Sequence, residues 1–297
     1  SGVANLVGGL AYTYSGGPKA AEGPLPDSIE GIVGPLHTAL VEAVVETDDT
    51  MLEKYFEGVE PTGDQLIAGM HAGMVAGTAF PVLCGSATGL IGVDRLAQFI
   101  VDYGPRPSER TPPPLAEGDS LPDSGVVAYV FKTMSDPYVG KISLFRVFRG
   151  TINVDVELEN RRVHAKGKMH NVFLMRGKDH EDVTQVVAGD IAAVSKLEAT
   201  LAGDTLATPG LDVTITPMAM PQPTMSYAVF PRTQHDEEKL STALARSVED
   251  DPTLSVERVA ATNQTVLSGL GDAHLEVTIA RLKSRHTVEA DTALPKI

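Results

Sequence analysis

Few side chains in this sequence have a type and spacing that could do chemistry unaided. His164, His170, His180, His235 and His274 are candidate bases or ligands, yet no two of them stand at the i, i+4 spacing that brings two imidazoles to one metal. They are read as solvated or hydrogen-bonded histidines, and neither a metal site nor a catalytic residue is assigned. The run His235-Asp236-Glu237-Glu238 sets carboxylates beside an imidazole, as an acid/base pair would. It also follows Thr233, which with Asp236 approximates a capping box, and acidic residues suit the first turn of a helix. Capping is the preferred reading. Glu249-Asp250-Asp251, just before Pro252, reads as a solvated helix exit. Cys84 is the only cysteine, which excludes an internal disulfide; beside an apolar run and far from any histidine in sequence, it reads as buried filler.

Phosphate chemistry finds no seat either. The pairs Gly140-Lys141, Gly167-Lys168 and Gly177-Lys178 are followed by Ile, Met and Asp, so no Gly-x-x-x-x-Gly-Lys-Ser/Thr loop is present. Gly269-Leu270-Gly271-Asp272 before a helical pattern is half of a phosphate-binding turn, read here as a tight strand-to-helix connection.

These residues sit on three kinds of pattern. Ile29 to Val45 is amphipathic at helical spacing, followed by helical turns at Met51 to Phe56 and, after the start signal Pro61-Thr62, at Gln65 to Met74. Ala79 to Leu83 reads as a buried strand, then a turn through Gly85-Ser86-Ala87, then a helix from Val93 to Val101. That order is an α/β ending. Prolines at 105, 107 and 112 to 114 mark a linker. Beyond it, Val126 to Thr133, Lys141 to Arg149, Arg161 to Met169 and Ile191 to Lys196 alternate at period two, with turns at Asp136-Pro137, Gly150, Gly167, Gly189-Asp190 and Gly203-Asp204, the pattern of a small closed barrel. After Pro221-Gln222-Pro223 the order is strand Ser226 to Pro231, helix Glu237 to Val248, strands Ser255 to Ala260 and Gln264 to Leu267, helix Ala273 to Leu282, and strand His286 to Glu289. This βαββαβ order is ferredoxin-like.

With 297 residues, two or three domains are expected at roughly 100 to 200 residues each. No run reaches the roughly 18 to 20 consecutive apolar residues of a membrane span, and the first residues lack a signal peptide's regions, so a cytoplasmic protein without a membrane partner is expected. The absence of an initiator Met and the character of the last residues suggest an internal fragment. The chain has 24 basic and 39 acidic side chains, which argues against general nucleic-acid binding. The distribution is uneven: residues 1–119 hold 16 acidic and 5 basic side chains, whereas residues 131–180 hold 10 basic and 5 acidic.

One stretch is distinctive. Phe131-Lys132-Thr133-Met134-Ser135-Asp136-Pro137-Tyr138-Val139-Gly140-Lys141, with Arg146-Val147 and Gly150-Thr151, resembles domain II of the elongation factor G family of translational GTPases, as do Val187 to Ile191 and Gly203 to Leu206. Asp236 to Ser241, Ala243 to Arg246, Glu249 to Thr253 and Ser268 to Glu276 resemble its domain III, and Leu40 to Thr47, Glu53 to Tyr55 and Pro81 to Ala87 the end of its GTPase domain. Asp272-Ala273 and Gln222-Pro223 depart from the family pattern and point to a divergent paralogue, in which Asp272 is expected to keep the helix start capped.

The resemblance implies a multidomain α+β chain: a GTPase-domain remnant with a helical insert at 1–104, a proline-rich linker at 105–123, a β-barrel at 124–217, a ferredoxin-like domain at 218–292, and the start of a further domain at 293–297. It implies guanine contacts at Ser86 and Ala87, with GTP and Mg bound only by the full-length parent, so this fragment is expected to bind neither and to be inactive alone. It implies a ribosome partner, both ribosomal RNA and small-subunit proteins, with docking through Lys132, Lys141, Arg146, Arg149, Arg161 and Arg162. Cations alternating with apolar residues also mark any solvated barrel face, and that reading stays open. For the parent, hydrolysis coupled to translocation or ribosome disassembly is the leading expectation; a non-catalytic docking paralogue and a ribosomal protection factor are the alternatives.

Overall fold

The computed structural model describes residues 1–136, 139–177, 179–233 and 236–296, and the chain divides at Thr111/Pro112 into two units. Pro137, Tyr138, Lys178, His235 and Ile297, which figure in the sequence reading, lie outside the described residues.

The first unit opens with a three-stranded antiparallel sheet, β1 (Gly2–Asn5), β2 (Leu10–Thr13) and β3 (Ala21–Pro24), which the sequence did not signal. Four helices follow: α1 (Asp27–Val45), α2 (Asp49–Phe56), α3 (Gly63–Ala76) and α4 (Val93–Tyr103). Thr62 starts α3 with a full capping box, its Oγ1 accepting from Gln65 N while Gln65 Oε1 accepts from Thr62 N at 2.9 Å. The small core joins Val41, Val44 and Val45 of α1 to Leu66 and Met70 of α3. Gly69 permits that approach, since a Cβ there would lie 2.6 Å from Val44 Cγ1. Among the described residues α1 is the one helix with the length and mean hydropathy, 1.3, of a membrane span; it carries Glu30, Pro35 and Glu42.

The expected buried strand at Ala79 to Leu83 is corrected. The segment is not a strand, and Phe80 and Val82 are 81% and 88% exposed. An apolar run becomes a buried strand only beside partner strands, and among the described residues none pairs with it. Cys84 is accordingly exposed rather than filler.

The second unit begins with a packed strap. Leu115 bridges Ile215, Ala116 N donates to Thr214 O, and Thr214 N donates to Asp119 Oδ2. Leu115 and Leu121 thereby cover Val127, Val213 and Ile215. The part of the proline-rich segment from residue 112 to 121 is thus held on the barrel.

The barrel strands are β4 (Val127–Asp136), β5 (Gly140–Arg149), β6 (Thr151–Asn153), β7 (Glu157–Asn160), β8 (Ala165–Lys168), β9 (Val172–Arg176), β10 (Asp179–Asp182), β11 (Gln185–Val187), β12 (Ile191–Ser195) and β13 (Thr205–Ala207). Eight run in the order β10-β9-β12-β5-β4-β13-β7-β8, and β6 pairs with β11. Their inward side chains, among them Val130, Phe145, Val147, Ile152, Leu158 and Val194, make one core. Gly150 turns β5 into β6 at φ +74°, where a Cβ would strike Gly125 O. The expected strand Arg161 to Met169 is corrected to a turn at residues 161 to 164 followed by the single strand β8, which pairs back on β7, Asn160 opposite Ala165. Asn160 Oδ1 accepts from Arg162 N and bends the chain; the polar Glu-Leu-Glu-Asn of β7 hides its strand character.

The third domain is β14 (Met225–Pro231), α5 (Glu237–Asp250), β15 (Ser255–Val259), β16 (Gln264–Gly269), α6 (Asp272–His286) and β17 (Ala290–Ala293). Its sheet order, β15-β16-β14-β17, is all antiparallel, with both helices on one core of Leu240, Leu244, Leu267, Leu275 and Leu282. The last strand starts four residues later than expected. Lys283, Arg285 and His286 prolong α6 at its negative end, Thr287 terminates it at φ +56°, and Val288 is spent in the core. Asp272 does not cap α6: Gly271 is the N-cap, and the Asp272 carboxylate accepts from Tyr227 OH at 2.5 Å instead.

Candidate functional site

Ser86 and Ala87 lie in a closed loop of the first unit. Ser86 N donates to Ile91 O at 2.8 Å, Ile91 N returns the bond at 3.0 Å, and Ser86 Oγ accepts from Gly89 N. Gly85 is required there, because a Cβ would meet Ile91 O at 2.6 Å. Ala87 is exposed, and its N–H has no partner among the described residues. Such a loop can offer a backbone donor to the edge of a base. Among the described residues no group of three His, Cys, Asp or Glu side chains could hold a metal.

The six basic barrel residues do not form one open face. Arg162 grips buried Asp204, Nε to Oδ1 at 2.6 Å and Nη2 to Oδ2 at 3.0 Å; the same carboxylate accepts from Asn160 Nδ2 and Leu201 N. That ion pair holds the Arg162 guanidinium above its ordinary value. Arg161, only 11% exposed, pairs with Glu159 and Asp212. Arg149 reaches Asp123, and Arg146 lies over the Phe148 ring, 5.4 Å from its centroid. Lys141 is 9% exposed and reaches Glu249 Oε2 at 3.2 Å and Glu198 O at 3.0 Å. Lys132 is exposed and makes no ion pair among the described residues.

Lys141 belongs to a constellation that sequence reasoning missed. Of Glu249, Asp250 and Asp251, expected as a solvated helix exit, the first two join α5 to the barrel and the third is held within its own domain. Thr133 Oγ1 donates to Glu249 O at 2.5 Å, Ser135 Oγ to Asp250 Oδ1 at 3.0 Å, and Lys141 to the Glu249 carboxylate. Burial pushes the Asp250 carboxyl above its usual range. Burial pushes Asp251 the same way, but bonds from Thr253 and His274 outweigh it and hold this carboxyl low. His274 accepts from Leu270 N through Nδ1 and so donates to Asp251 through Nε2, pinning the turn after β16 to the end of α5. Nothing local in the sequence signals this set, because its partners lie more than a hundred residues away.

The barrel and the ferredoxin-like domain that follows it are joined through the acidic end of α5. Residues 125–209 match the model of elongation factor G domain 2, and residues 220–293 match that of elongation factor G, domain III, together more than half of the chain. A crystal structure from Thermus thermophilus is similar across both units, with a TM-score of 0.86 and 29% identity over 99% of this chain and 43% of that one. The chain therefore spans less than half the length of that relative. It belongs to the elongation factor G family.

Proposed function

We propose that this chain is the central segment of a ribosome-binding translational GTPase whose hydrolysis of GTP drives translocation or ribosome disassembly. The observation that carries this reading is the consecutive match to domains II and III in one chain, with a structural likeness that extends through the first unit. In this reading the Ser86-Ala87 loop contacts guanine, while the phosphate and magnesium chemistry belongs to segments outside these 297 residues. The chain alone then holds GTP too weakly for micromolar binding by calorimetry.

The barrel is the docking surface, meeting ribosomal RNA and small-subunit proteins. Among its cations, Lys132 and Arg146 make no salt bridge among the described residues and Arg149 only a 3.7 Å contact with the exposed Asp123, so these three are best placed to reach a phosphate, whereas Lys141, Arg161 and Arg162 hold closer carboxylates. Ribosome co-sedimentation across a salt series tests this. Charge reversal at Arg146 and Arg149 is expected to weaken binding and flatten its salt dependence, by a slope of about 0.9 per lost contact on duplex nucleic acid. Unchanged affinity and slope would overturn the assignment.

A further inference from the structure

In a chain with a net charge of −15, one cleft gathers four cationic side chains against a single uncommitted carboxylate, Asp250. It is the cleft of about 270 Å³ where the barrel meets the third domain. Lys132 enters from β4, and Arg281, Arg285 and His286 from α6. None of these four makes a salt bridge among the described residues, whereas Arg161, Arg162, Arg232 and Lys283 elsewhere in this unit all do. Two carboxylates line the same cleft. Asp251 is committed to Thr253 and His274, which leaves Asp250, already accepting from Ser135, as the single competing anion.

Like charges brought together repel unless something of opposite sign sits between them, and the effect is larger beside apolar walls such as Leu254 and Met134. At His286 burial, and after it Arg246 and Arg285, disfavour the imidazolium, and Asp250 offsets them only in part. The hydroxyls of the cleft cannot supply the donors for a ligand. Thr133 gives its proton to Glu249 O, Ser247 to Ala243 O and Thr278 to His274 O. A ligand must therefore meet the cationic groups themselves.

We propose that this cleft binds a small phosphorylated ligand, its phosphate held by Lys132 and Arg285 with Arg281 and His286 beside them, as a bridge between barrel and third domain. A guanidinium matches phosphate oxygens two at a time, and a lysine from the facing element completes the grip. A cleft of about 270 Å³ favours a small ligand over a nucleic-acid strand.

Titration calorimetry of the 297-residue chain with inorganic pyrophosphate at low salt tests the assignment. Saturable one-to-one binding is expected, weakened about tenfold or more in Lys132→Gln/Arg285→Gln, since each lost charged hydrogen bond is worth at least about a factor of ten. Asp250→Asn is expected to tighten binding by removing the competing anion, and Lys168→Gln, on the exposed edge of the barrel sheet, to leave it unchanged. Circular dichroism of each variant separates loss of the site from loss of the fold. Absence of saturable heat, or equal affinity in the folded Lys132→Gln/Arg285→Gln variant, overturns the proposal. So does a single-stranded RNA that binds through these cations when pyrophosphate does not.

Discussion

Asp204 shows how one residue can organise a barrel rim. It is 3% exposed, and its carboxylate accepts from Arg162, Asn160 and Leu201 N, so removing it strands several donors at once. Asp204→Ala is expected to cost about 3 kcal/mol in urea denaturation, with Asp204→Asn costing less because one acceptor survives. Asp250 behaves in the opposite sense. Burial raises its folded pKa above the unfolded value, so ionisation penalises the folded state; the penalty is absent below the unfolded pKa and complete once pH has passed the folded one. Asp250→Asn keeps an acceptor for Ser135 and removes that penalty. It should raise stability at pH 7 and leave it unchanged at pH 3, as read from denaturation midpoints at the two pH values.

At the scale of elements, the helices of the first unit differ in how firmly they are held. α1 and α3 touch through Gly69, where a new methyl would lie 2.6 Å from Val44 and 2.9 Å from Met51. Gly69→Ala should lower the stability of this unit by about 1 to 3 kcal/mol through overpacking, despite the better helix propensity of alanine, measured as a shift in thermal unfolding. The run Ala79 to Leu83 carries no such load. With Phe80 81% exposed, Phe80→Ser is expected to change stability by no more than about 0.5 kcal/mol while reducing the binding of a hydrophobic dye. A loss of several kcal/mol would show that the segment is buried after all.

For the whole molecule, the junction between the units and the strap just after it make different predictions for proteolysis. Residues 105 to 111 are largely exposed, whereas the chain from 112 to 121 is bonded to Thr214 and Ile215. Brief digestion should cut before Pro112 and spare the strap, leaving a fragment that mass spectrometry places at residue 112 or earlier; cleavage inside 112–121 would contradict the packing. Period-two alternation in Lys141 to Arg149, helical spacing in Ile29 to Val45 and the order of elements after Pro223 are local signals, so β4, β5 and β12 of the barrel, the first helix and the βαββαβ domain were legible as residues. The motif around Phe131 to Lys141 carried the family. What remained hidden depends on partners far away in the chain. Ala79 to Leu83 has the composition of a buried strand and, among the described residues, no strand beside it. Glu249-Asp250-Asp251 has the composition of a solvated helix end, and instead Glu249 and Asp250 bond to Thr133, Ser135 and Lys141 across more than a hundred residues. Composition states what a side chain tolerates; only the folded chain brings the neighbour that decides whether a charge is solvated, paired or left to bind something else.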